Sequence, residues 1–200
     1  MYVYVSDPFP SRSYNPNGYA SGRRYIANVQ NMLRQRGIEH LQCDNPTEAY
    51  GNCWPCSIAQ NLHRNEIRAT LTDEVKFLSE DYHRLRVAIV DFVKYVTPDS
   101  DYYEVIDNCR TNYAQLAIED PELESWDTRL ESMSKDMNWF DDQMMKFTAL
   151  FLKRDIICYH ATATFKYCSS PFTAQDHRNS DVPCQCEAEP FHIANIGNAH

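Results

Sequence analysis

The stretch Tyr50-Gly51-Asn52-Cys53-Trp54-Pro55-Cys56-Ser57-Ile58-Ala59-Gln60-Asn61-Leu62 decides how the rest of this chain is read. The residues leading into it, 43–52, are polar and contain Pro46 and Gly51, which predicts a loop. Pro55 suits the first turn of a helix, and Ile58, Ala59 and Leu62 then recur on one helical face. Cys53 therefore falls at a loop-to-helix junction. There the unsatisfied N–H groups and the positive end of the helix dipole favour thiolate over thiol. The same N–H groups can donate to the oxyanion of a tetrahedral intermediate, and Gly51 permits the sharp turn this requires. A thiolate nucleophile also needs an imidazole partner, which must come from elsewhere in the chain.

Working outward, residues 1–22 mix Pro, Ser, Asn, Gly and Tyr without periodicity and read as loosely structured. Apolar residues at helical spacing predict a helix over 23–36, closed by Gly37. Tyr82, Leu85, Ile89, Phe92, Val93 and Val96 form the stripe of a helix over 79–96, which Thr97-Pro98 ends. Helical patterns follow over 101–117, over 121–134 with Pro121 at its start, and over 140–151 with Met144, Phe147 and Thr148 inward. Strands are predicted over 155–160, 163–167 and 191–196, with a long polar loop over 169–189. The fold class is α+β, with helices early and a small sheet assembled late.

Composition narrows the function classes. Two hundred residues, 43% hydrophobic, suffice for one domain with a core. Five glycines leave little material for Gly-rich nucleotide loops. The longest apolar runs fall far short of the ~20 residues that span a bilayer. The first residues lack a basic stretch followed by an apolar one, so no secretion signal and no membrane association are expected. A net charge of −9, with Lys and Arg scattered, argues against nucleic acid, whose phosphates are bound by clustered cations. An acidic surface attracts a basic partner. Eight cysteines stand at 43, 53, 56, 109, 158, 168, 184 and 186, and a chain with an ample core and no export signal is expected to keep them reduced, inside the cell.

The segment from Tyr50 to Leu62 resembles the cysteine signature of the ovarian-tumour (OTU) family of cysteine peptidases. Three further blocks follow in that family's order: Tyr82-His83-Arg84-Leu85-Arg86, then Trp139 to Ala149 running into Asp155-Ile156-Ile157, then Phe191 to His200. The likeness covers about residues 40 to 200. It implies a papain-like fold in which a small central sheet packs between helical regions, with residues 23–200 as the protease domain. It further implies that Cys53 is the nucleophile, His200 the general base and acid, and Tyr50, Gly51 and Asn52 the oxyanion hole, with Trp54 beside the substrate cleft. The reaction implied is hydrolysis of the isopeptide bond at the C-terminus of ubiquitin or a ubiquitin-like modifier, through an acyl-enzyme thioester. The partner would be a ubiquitin conjugate. No metal or other cofactor is required. A monomer in the cytoplasm, that of an infected host cell included, is expected.

Two positions depart from the family. Tyr50 stands where it has Asp. The family also places an acid or amide after its histidine to orient the ring, and Asp44 is the upstream candidate here. These departures motivate an alternative, an OTU-fold module that binds ubiquitin without cleaving it. Cys53 is otherwise read as a buried structural thiol. Cys53-Trp54-Pro55-Cys56 also fits the redox Cys-x-x-Cys of thioredoxin-like proteins, although that fold needs an apolar strand directly before the motif. Cys168, His177, Cys184, Cys186 and His192 are candidate zinc ligands at irregular spacing. His192 is the fallback base.

Overall fold

The computed structural model describes residues 2–6, 27, 30–35, 37, 42–47, 53–136, 138, 140–160, 164–171, 177–178 and 188–195. Strands β1 (Tyr2–Ser6) and β2 (Gln42–Thr47) flank helix α1, described over 30–35. A run of helices follows: α2 (Cys53–Leu62), α3 (Asn65–Arg68), α4 (Asp73–Ser79), α5 (Tyr82–Lys94), α6 (Tyr103–Glu119), α7 (Trp126–Ser134) and α8 (Asp142–Leu152). The chain closes with β3 (Ile156–His160), β4 (Thr164–Tyr167), β5 (His177–Arg178) and β6 (Phe191–Asn195). The six strands form one mixed sheet in the order β2-β1-β6-β3-β4-β5. β2, β1, β6 and β3 run parallel, while β4 and β5 are antiparallel additions at one side.

Helix boundaries follow local capping chemistry. The helix expected over 79–96 is α5, which starts at Tyr82 because Asp81 caps it by accepting from the His83 amide at 2.8 Å; Ser79 instead ends α4, a helix the sequence reading did not predict. Pro121 does not open α7. Asp120 instead accepts from the Glu122 amide to form a turn, and Ser125 caps α7 through the Thr128 amide. Asp141 caps α8 by accepting from the Met144 amide at 3.0 Å. Lys153, with φ of 50°, ends that helix in the left-handed region, and β3 begins three residues later.

Two expectations about the early chain are corrected. Residues 2–6, read as part of an irregular segment, form a strand inside the sheet, and residues 42–47, read as loop, form another. The sheet is therefore built from both ends of the chain.

One face of the sheet carries the main core. Ile156 and Cys158 of β3 and Phe191 and Ile193 of β6 are fully buried there, with Trp54, Ile58 and Leu62 of α2 and Leu85, Ile89 and Val93 of α5. From α8 come Met144, Phe147 and Leu150, with Thr148 equally buried. Leu33 of α1 is buried but belongs to no part of that cluster.

Arg86 is the largest fully buried charged residue. Its guanidinium donates to the carbonyls of Met133 and Asn138 and lies 5.2 Å from the Phe140 ring centroid. It thus fixes the connection from α7 to α8 against α5. Arg86→Ala removes both donations and leaves a hole, so unfolding free energy is expected to fall by about 3–5 kcal/mol. Arg86→Lys should recover only part of the loss, because one ammonium does not reproduce the planar fork. Urea denaturation checks both, and wild-type stability in Arg86→Ala would show that the carbonyls find other donors.

Candidate active site

The four parallel strands end level with one another. Thr47 is the register partner of Ser6, Ser6 of Asn195, and Asn195 of His160. Chain leaving β1 goes by way of α1 to β2 on one side, and chain leaving β3 goes to β4 on the other. Open α/β sheets commonly bind ligands in a crevice outside the carboxyl ends of their strands.

Cys53 is the first residue of α2, six positions after Thr47. The helix then packs on β1, β2 and β6. Its first turn contains no acidic residue. The amide groups and dipole at this end face no carboxylate from the helix's own first turn. Asn195 is the last residue of β6, and His200, five positions on, lies outside the described residues.

Of the residues singled out from sequence, Tyr50, Gly51, Asn52 and His200 lie outside the described residues, as does Trp139. Cys53 is described by its place at the head of α2, and Asp44 by its place in β2. Trp54 is 4% exposed and packed in the main core, so its part is to seat the helix and not to offer a free cleft wall. Cys56 is half-buried. It stands close to Tyr82 at the head of α5, whose hydroxyl is held above its ordinary range first by burial, then by Asp136 and Cys56.

His192 does not serve as the base for Cys53. Its neighbours Phe191 and Ile193 are in the core shared with α2, so alternation along β6 turns His192 to the opposite face. There it is buried, with Nδ1 2.9 Å from the Tyr159 hydroxyl and the two rings stacked at 5.8 Å. Among the described residues no group of three or more His, Cys, Asp or Glu is arranged to hold a metal. Cys184 and Cys186 lie outside the described residues. The redox reading asked for an apolar strand directly before the cysteines. β2 does precede them, but it is polar, Gln-Cys-Asp-Asn-Pro-Thr, and five residues intervene.

Sequence reasoning passed over His160 and Asn195, the last residues of β3 and β6. By two-residue alternation they share parity with Ile156 and Cys158, and with Phe191 and Ile193, so these backbone positions fall on the α2 side of the sheet. Continuing that count to the strand ends would have drawn attention to them. No protein-family model, curated protein or solved structure matches the chain.

Burial pushes the Tyr159 phenol up to about 12, with Cys158 a further contributor. The unfolded chain loses this proton near the ordinary value of 10.0, so the contribution is complete below that pH. It is lost as pH rises toward about 12, because the folded state then holds the extra proton. Tyr159→Phe is expected to cost about 1 kcal/mol at neutral pH through the lost hydrogen bond to His192. It should also flatten the alkaline fall in stability. Urea midpoints of both proteins across the alkaline range check this, and parallel curves would remove Tyr159 as a source of the slope.

Proposed function

We propose that this chain is an OTU-type cysteine hydrolase that cleaves the bond between the C-terminal glycine of ubiquitin, or a ubiquitin-like modifier, and an amine. The observation that carries the reading is the position of Cys53. It opens a ten-residue helix whose first turn holds no acidic residue and which packs on β1, β2 and β6. That arrangement suits thiolate chemistry, and the four ordered sequence blocks point to the same substrate class. The net charge of −9 suits a basic, extended tail such as the resemblance implies.

In this reading the Cys53 thiolate adds to the glycine carbonyl, and amides of the 50–53 segment hold the resulting oxyanion. His200 delivers a proton to the departing amine, then takes one from the water that hydrolyses the thioester. Leu85 and Arg86, part of the second block, are both fully buried and act by packing and hydrogen bonding. The same fold used only to bind ubiquitin is the second reading, favoured by Tyr50 in place of the family's acid.

Ubiquitin bearing a C-terminal thiol-reactive group separates the two. Wild type, Cys56→Ala and His192→Gln are expected to form the covalent adduct and Cys53→Ala none. His200→Ala should slow capture by about 100-fold or more, the usual worth of a general base. Unmodified ubiquitin that binds wild type with no adduct forming would replace the hydrolase reading with the binding module.

A further inference from the structure

The proposed hydrolase uses one cysteine of a pair. Cys53 and Cys56 both lie in α2, three positions apart. That spacing on a helix brings Cβ atoms to about 5–6 Å on one face, and a disulfide needs about 3.5–4.5 Å. The first turn is where this gap closes at little cost, since its N–H groups have no acceptor within the helix. Pro55, between the cysteines, has no N–H to lose and keeps φ near its helical value. Trp54, Ser57 and Ile58 are buried around them, which anchors the helix while Cys56 stays partly open to solvent. Other described thiols are less suited: Cys158 and Cys168 are buried, and Cys109 belongs to α6, which packs on α7.

We propose that Cys53 and Cys56 form a reversible disulfide under peroxide, which switches the thiol site off and shields it from irreversible oxidation. The inference rests on the reading of Cys53 as the activated thiol. The Cys53 thiolate attacks a peroxide oxygen, breaking the O–O bond. This gives a sulfenic acid at Cys53, and the peroxide leaves as water or an alcohol. The Cys56 sulfur then attacks the Cys53 sulfur, the S–O bond breaks, and water departs with the Cys56 proton. The two thiols are oxidised by two electrons and the peroxide is reduced by two. A dithiol returns both electrons by exchange and restores Cys53.

The test treats wild type, Cys56→Ser and Cys56→Ala with hydrogen peroxide, then alkylates, digests and weighs the peptides. Adduct formation with the ubiquitin probe is measured before oxidation and after dithiothreitol. Wild type is expected to lose two hydrogens across Cys53 and Cys56, to block both from alkylation, and to regain probe capture after reduction. Both variants should instead gain oxygens on Cys53 and stay inactive. The proposal is overturned if wild-type Cys53 gains oxygens while Cys56 is still alkylated. Recovery of the variants equal to that of wild type overturns it too. Failure of the reduced wild type to capture the probe counts against the hydrolase reading alone, because the peptide masses report the disulfide without any activity.

Discussion

The structure depends on the double pairing of β6. This strand hydrogen-bonds in parallel to β1 on one side and β3 on the other, so the two ends of the chain meet inside one sheet. Parallel neighbours cannot be joined by a tight turn, and here the connections include the whole helical region. Phe191 and Ile193 therefore become the floor on which α2 and the main core rest. The Phe191 amide donates to the Asp155 carbonyl at 2.9 Å, which starts the β3–β6 ladder in register. Everything said of the crevice follows from that register, because it aligns the four carboxyl ends.

Three arginines also tie the helical region to itself and to the sheet, Arg86 and Arg154 buried and Arg129 half-buried. Arg86 ties α5 to the α7–α8 connection through two carbonyls. Arg129 pairs with Asp141, the residue that caps α8, and stacks 4.4 Å from the Tyr113 centroid of α6. Arg154 donates to the Glu189 carbonyl and to the Thr70 hydroxyl, joining the approach to β6 to the helices. A guanidinium suits these places because its donors point in several fixed directions and it stacks on aromatic rings. Each such cation lies in a water-poor setting, so its acceptors count for more than surface pairs do.

Elements with a strong local signal were legible in the sequence. The helix opening at Cys53, the stripe of α5, the inward residues of α8, and strands β3, β4 and β6 all carry periodicity or apolar runs. β2 was not legible, for a physical reason. Asp44, Asn45 and Pro46 all disfavour strand, and they are tolerated because β2 is the outermost strand of the described sheet, with a register shift opposite. β1 alternates well enough but is only five residues long beside a Pro- and Ser-rich stretch. The sequence pattern puts the start of α5 at Ser79, three residues early, because only the Asp81 cap marks it.

For the site, the nucleophile was the legible half, since a thiolate at a helix start is a local matter of N–H groups, dipole and glycine. Its partner is non-local and depends on which face of a strand a histidine occupies. His192 and His200 are eight positions apart in one closing segment, and sequence alone ranks both as bases. Burial separates them: Phe191 and Ile193 claim the α2 side, and the Tyr159 pairing takes His192 on the other. Among the described residues His192 therefore faces away from α2, while His160 stands at the level of Asn195 at the strand ends.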